Sequence, residues 1–385
     1  MVEIKTILYY SVYSILTSLR SPLYWIVVLI VYLQYRKFGK MEKMILGSYK
    51  EPLYKRLITS VTLGLLGGIV ASMLFLLLGT AIEGNDFLFI LPLAILLSLI
   101  HPRFICFSYA GGIISLISLI FGYPKINVES VMTVVAVLHL VESLLIITDG
   151  HNGRVPIFME KDKEIVGGFN MNRYWPMPFL VFVQGEVIYP IVIIAVLGYG
   201  DFVLTKYPKS KTRETAGMLL IFSLILLTLS QLSRTYNLLL YPLAISSPLL
   251  HELIIQLGRS REKLRNPIFI PSSKGLRILD TLPDEVGESI GLKTGDILIG
   301  INGNRINSKA ELTEYLMSKP RYIWLDIMDI KKGLITKEYK NYREGIDSLG
   351  ILVIPKTPEY SFIVEEGKSP LQRLIAKIKR KGTFK

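Results

Sequence analysis

Apolar runs crowd the chain before Leu257 and charges gather after it, so the two parts face different solvents. With 51% hydrophobic residues, 19% charged residues and a mean hydropathy of +0.44, the 385-residue chain is too apolar for a soluble protein of its size. Apolar runs lie at 4–19, 23–35, 57–80, 87–100, 104–121, 131–148, 179–199, 216–232 and 236–257. Several approach the ~20 residues that carry a helix across a bilayer core. The expected architecture is a membrane-embedded all-α bundle of about six to eight spans over 1–257, with the shorter runs lying at the interface or re-entering. The first 20 residues lack the compact apolar core and small-residue cleavage site of a signal peptide.

Basic loops set the expected orientation. The loop 34–56 carries Arg36, Lys37, Lys40, Lys43, Lys50, Lys55 and Arg56 against Glu42 and Glu51, so it reads as cytoplasmic. The loop 83–86 holds only Glu83 and Asp86 and reads as external. Arg259, Arg261, Lys263 and Arg265 again read as cytoplasmic. Alternation through the seven later runs contradicts that last placement, so one run must fail to cross. The expected one is 236–257, which Pro242 and Pro248 interrupt. Lys206, Lys209, Lys211 and Arg213 also conflict with simple alternation. The loop 149–178, ending in Trp175-Pro176-Met177-Pro178, is expected as a turn-rich connector at headgroup level.

Small residues and ionisable groups inside the apolar runs are the next signals. Gly64 and Gly68, spaced GxxxG, predict close packing inside the protein rather than a dimer face. His139 and Glu142 share one helical face, Glu186 interrupts the run 179–199, and His251 and Glu252 close the last run. Charges at depth mark a functional site or a buried pair. A zinc protease motif needs HExxH, but Leu253, Ile254 and Ile255 follow His251-Glu252, so no metal and no cofactor are expected. Proton-coupled transport is a further rival expectation, in which Glu142 and Glu186 face each other. Gly287-Glu288-Ser289-Ile290-Gly291 fits the GxSxG pattern by chance, since no histidine follows His251. Cys106 is the one cysteine, so no internal disulfide forms.

After a basic linker at 258–270, the stretch 275–304 reads GLRILDTLPDEVGESIGLKTGDILIGINGN: a strand, a Pro-Asp turn, a short helical turn, a Gly-Asp turn and a second strand closing on Asn302-Gly303. Ser308 and Glu311 form a capping box before a helix whose apolar face is Leu312, Tyr315 and Leu316. Two strands around Lys332-Gly333 and a last run, Leu349 to Ile354, complete a small α+β domain over 271–355. This order resembles the permuted bacterial type of PDZ domain. The resemblance implies that a peptide adds a strand beside the last strand and packs against the helix. Its groove would be Leu349, Gly350, Ile351 and Leu352 with Leu312, Tyr315 and Leu316, and Gly275, Leu276, Arg277 and Ile278 would be the alternative carboxylate loop.

The tail 356–385 is rich in Lys and Arg, and Leu371, Leu374, Ile375 and Ile378 fall on one face, as in a basic amphipathic helix on anionic headgroups. The net charge of +13 suits that surface, and no nucleic-acid motif accompanies it. The order of parts, with the stretches HLVESLLI, WPMP and PLLHELI, resembles the MinJ-type division-site topology proteins of Gram-positive bacteria. That resemblance implies a non-enzymatic scaffold joining DivIVA-like and MinD-like division proteins, with homo-oligomers possible. The rival expectation is a membrane protease, or a protease regulator sensing peptides through its PDZ-like domain.

Overall fold

In the computed structural model, described for residues 4–83, 86–162 and 164–356, the N-terminal part is helical but not all-helical. It comprises α1 (Ile4–Ser18), α2 (Pro22–Leu46), α3 (Leu53–Leu77), β1 (Ala81–Glu83), α4 (Asp86–Ile100), α5 (Phe107–Phe121), α6 (Val128–Asp149), β2 (Arg154–Lys161), β3 (Glu164–Gln184), β4 (Ile188–Val203), α7 (Pro208–Ser233) and α8 (Leu240–Leu264). Among the described residues, four helices are long and apolar enough to cross a bilayer: Leu53–Leu78, Val128–Asp149, Pro208–Ser233 and Asn237–Leu264. The apolar helices α4 and α5 have 15 residues each. At 1.5 Å per residue they are about 23 Å long, short of a ~30 Å hydrocarbon core.

Residues 179–199, expected as a helical span, instead form most of a long antiparallel hairpin, β3–β4, paired from Phe169↔Val203 to Gln184↔Ile188. The expected connector 149–178 is largely β2 and the first part of β3, so the bundle is mixed α and β. The physical reason is local. The run is rich in Val, Ile and Phe, and Pro176, Pro178 and Pro190 would each break a helical hydrogen bond. Conversely, most of 236–257, expected to fail as a crossing, lies within a helix that continues through Pro248 to Leu264. The first residues of the expected linker 258–270 are therefore helical.

The hairpin lies along α3. Strand β3 pairs with β2 over its first part and with β1 at Phe182 to Gln184, leaving the edge between them without a strand partner. Helix α3 covers that gap. A Cβ on Gly64 would lie 2.2 Å from the Pro176 carbonyl oxygen, and one on Gly68 would lie 1.9 Å from that of Pro178. At the ends of the gap, Tyr174 N–H donates to the Tyr35 hydroxyl (3.0 Å), and Leu180 N–H donates to Ser72 Oγ (2.8 Å). Proline has no N–H, so Pro176 and Pro178 sit where an amide would otherwise have no partner. The spacing also matches: four helical residues rise about 6.0 Å and two strand residues about 6.6 Å, so Ser60, Gly64, Gly68 and Ser72 keep step with 174, 176, 178 and 180. The GxxxG pair thus packs internally, as expected, but against a strand rather than a helix.

Trp175 is fully buried rather than at a headgroup surface. Its indole N–H donates to Asp149 Oδ2 at 2.9 Å, and Arg173 Nη2 reaches the same oxygen at 2.5 Å. This buried ion pair fastens β3 to the end of α6.

The C-terminal part is a sheet-rich domain of β5 (Leu276–Thr281), α9 (Val286–Ser289), β6 (Ile297–Ile301), β7 (Asn304–Arg305), α10 (Lys309–Met317), β8 (Tyr322–Asp329), β9 (Gly333–Lys340) and β10 (Ile351–Val353). Its strand order is β10-β5-β6-β8-β9, with β7 paired to β6. Ser308 caps α10 by accepting from Glu311 N–H at 3.2 Å, while Glu311 Oε2 accepts from Asn307 N–H at 2.9 Å. The basic helix expected in 356–385 lies almost wholly outside the described residues.

Candidate functional site

The expected groove is built by the last strand and α10. Strand β10 ends the sheet, with β5 on one side and no strand on the other among the described residues. Ile346 N–H donates to the Pro320 carbonyl (3.0 Å) just beyond the end of α10, and Lys356 interacts electrostatically with Glu311 at its start. The chain from 346 to 356 therefore runs antiparallel beside α10, and an open edge faces a helix.

The loop before β10 has its carbonyls committed inward. Gly287 N–H donates to the Leu349 carbonyl and Leu282 N–H to the Gly350 carbonyl, both at 2.8 Å. A trans peptide points its N–H opposite its carbonyl, so the Ile351 amide is directed away from β5, toward the edge. The Gly350 amide donates to Ser348 Oγ at 3.0 Å. Gly350 has φ +60° and no room for a Cβ, which would sit 2.2 Å from that of Glu285, so the loop requires glycine here.

The expected groove residues divide into two groups. Leu312 (6% exposed), Leu316 (4%) and Leu349 (2%) are core residues that close the cluster beneath the edge. Ile351 and Tyr315 are half-buried on that cluster, and the Tyr315 hydroxyl accepts from Asn302 Nδ2 at 2.8 Å. Leu352 turns the other way and packs on the N-terminal part. The alternative loop lies in the interior of the sheet. Leu276 and Arg277 pair with Leu298 and Ile297, Arg277 O accepts from Ile354 N–H, and Ile278 N–H donates to Asp296 O. With neighbours on both sides, the strand from Leu276 to Ile278 presents no open edge to a carboxylate.

The C-terminal domain is docked rather than loosely tethered. Leu279 and Ile354 belong to the main core of the N-terminal part, and a Cβ on Gly167 would meet both side chains. Gly167 N–H donates to the Phe269 carbonyl at 2.8 Å. Lys50 Nζ, from the α2–α3 loop, bonds Asp280 Oδ1 at 2.5 Å, with Asp280 only 3% exposed. Burial holds Lys50 below the usual lysine range, although Asp280 pulls the other way. Lys50→Ala strands a buried carboxylate at a cost of about 1–3 kcal/mol. The expected outcome is faster limited proteolysis in the segment 265–274 of the full chain.

The polar residues of the N-terminal part separate into two places. Glu186 is exposed at the β3–β4 tip, beside the β1 end of the sheet. Glu142 lies far along α6, close enough to Cys106 to interact with it electrostatically. The two carboxylates do not face each other, because 179–199 folds as a hairpin whose tip carries Glu186 away. His139 and His251 come together instead, ring centroids 5.2 Å apart, with Cys106 between their Nε2 atoms. Glu252 accepts from the Tyr109 hydroxyl (2.7 Å) and pairs with Arg103 (3.2 Å). Sequence reasoning missed Cys106 as a partner of the histidines: the three positions are distant in the chain and form no local motif.

Four helices long and apolar enough to cross a membrane, joined to a C-terminal sheet-rich domain, are compatible with a membrane protein that carries an appended module. No protein-family model matches the chain. Among characterised proteins it is similar to the cell division topological determinant MinJ of Bacillus subtilis (strain 168), with 22% identity over 240 residues, covering 55% of this chain and 59% of that protein. The similarity agrees with the MinJ-type resemblance, and the matched stretch spans less than two thirds of that protein's length.

Proposed function

We propose that this chain is a non-enzymatic membrane scaffold that recruits protein partners through a cytoplasmic PDZ-like domain and helps position cell division. The observation that carries the reading is the open β10 edge running antiparallel beside α10, with the Ile351 amide directed outward. An extended peptide can add there as a further strand, its main chain supplying affinity and its side chains selectivity. The similarity to MinJ supports the setting, and DivIVA-like and MinD-like proteins are the partners that the resemblance implies.

The hairpin also supports a cytoplasmic domain. Starting inside at 34–56, seven later runs minus the non-helical 179–199 leaves six, and six return the chain to the inside. A hairpin begins and ends on one side, so it does not alter this parity. The short pair α4–α5 contributes two crossings or a turn back, with the same result. Lys206, Lys209, Lys211 and Arg213 then fall inside as well, which removes their conflict with the positive-inside rule.

Deletion of 271–355 is expected to preserve membrane insertion while abolishing partner recovery and disturbing septum placement. Ile351→Pro provides the finer test, since it removes one outward N–H without a bond to β5. In-cell crosslinking with mass spectrometry is expected to show at least about a tenfold greater loss of partner adducts for this variant than for Ile351→Ala, which loses the same side chain but keeps the N–H. Undiminished adducts in both the deletion and Ile351→Pro would sink the reading.

A further inference from the structure

We propose that Cys106, His139 and His251 form a Zn²⁺ site that joins three helical elements. Cys106 Sγ lies 3.2 Å from His139 Nε2 and 3.8 Å from His251 Nε2, and the three ligand atoms all fall within 4.8 Å of one another. Tetrahedral zinc, with Zn–S of about 2.3 Å and Zn–N of about 2.0–2.1 Å, needs S···N separations near 3.6 Å. The two observed separations bracket that value, and the two Nε2 atoms lie within 4.8 Å of each other, so side-chain adjustment brings all three atoms into reach of one ion.

The tautomer of His139 is already set for ligation. Its Nδ1 lies 2.7 Å from the Val135 carbonyl, which can only accept, so Nδ1 carries the proton and the Nε2 lone pair faces the sulfur. Zinc-bound histidines are ordinarily oriented by such a bond from the other ring nitrogen. Without a metal the thiol can donate to His139 Nε2 and the His251 Nε2–H tautomer can donate to the sulfur, while His251 Nδ1 is buried without a partner. A metal engages the sulfur and both Nε2 atoms at once.

The surroundings suit a cation held away from water. The Phe222 ring lies edge-on to both imidazoles, at 5.2 and 5.8 Å, and Tyr109 packs on His251 at 5.1 Å. Zn²⁺ with one thiolate carries a net charge of +1. Glu142, one turn beyond His139 and electrostatically coupled to Cys106, would balance that charge when ionised beside the cation. Cysteine with imidazole is a zinc-type donor set, unlike the all-oxygen sets of Mg²⁺ and Ca²⁺. The ion would tie the start of α5 and the middle of α6 to α8, the helix that leads into the C-terminal domain.

The test uses the full chain in detergent. Metal analysis is expected to find about one zinc per chain, falling at least about tenfold in Cys106→Ser, His139→Ala and His251→Ala. Because Cys106 is the sole cysteine, thiol labelling tests the unaltered protein even where a variant fails to fold. Labelling is expected to accelerate about tenfold on chelation and to slow again when Zn²⁺ is restored. Zinc below about a tenth of an equivalent after incubation with micromolar Zn²⁺ overturns the proposal. Labelling indifferent to chelator, zinc retained in all three folded variants, or stoichiometric copper in its place also overturns it.

Discussion

Gly68→Val is expected to eliminate the folded protein from membranes, and Gly68→Ala to reduce it sharply. Even a methyl group at Gly68 would lie 1.9 Å from the Pro178 carbonyl oxygen, which is backbone and cannot rotate away. The β3–β4 hairpin would have to leave α3, exposing the unpaired edge that α3 covers. Ordinary overpacking costs about 1–3 kcal/mol, and a backbone clash at this distance lies beyond that range. Gly64→Val is expected to behave alike, with its Cβ 2.2 Å from the Pro176 oxygen. Gly217→Ala in α7, where a Cβ meets nothing within 4 Å, is the control and should leave expression and detergent melting unchanged. Equal yields of folded protein for the Gly68 and Gly217 variants would refute the strand-on-helix packing.

Asp149→Ala is expected to cost about 3–5 kcal/mol in detergent unfolding, the range for removing one partner of a buried pair. Asp149 and Arg173 are each 1% exposed, and the carboxylate also accepts from the Trp175 indole and from Asn152 Nδ2 (3.1 Å). The single change leaves a guanidinium buried without its counterion. The paired change Asp149→Leu with Arg173→Met should lose less than Asp149→Ala alone, because no charge is then stranded. A double variant less stable than the single would instead locate the contribution in Trp175 and Asn152.

Much of the C-terminal domain was legible because its signals are local. Gly291, Gly295 and Gly303 occupy left-handed turns, and the Ser308–Glu311 cap and the alternating strands fall close to their expected positions. The groove was less legible. Leu312 and Leu316 look like a presented wall in a helical pattern, but periodicity identifies an apolar face without saying whether it meets the core or a ligand. The two candidate loops were separated only by strand pairing: one lies in the sheet interior and the other precedes an open edge.

The N-terminal part shows the opposite balance. Composition marked 179–199 as apolar, and hydropathy alone does not distinguish a buried strand from a helix. The prolines of the WPMP stretch carried the information, since they suit a strand position with no amide partner, but their meaning depends on α3 lying alongside. The same holds for Cys106, His139 and His251, which no spacing rule connects.

What the sequence determined by itself was the division into an apolar N-terminal part and a sheet-forming C-terminal domain, because solvent preference, turn chemistry and capping act over a few neighbouring residues. What only the tertiary structure decided was which segments meet: glycines of α3 on prolines of β3, Lys50 on Asp280, and one cysteine between two histidines. Those contacts depend on long-range packing and backbone pairing, in which each residue's role is set by a partner far away in the chain.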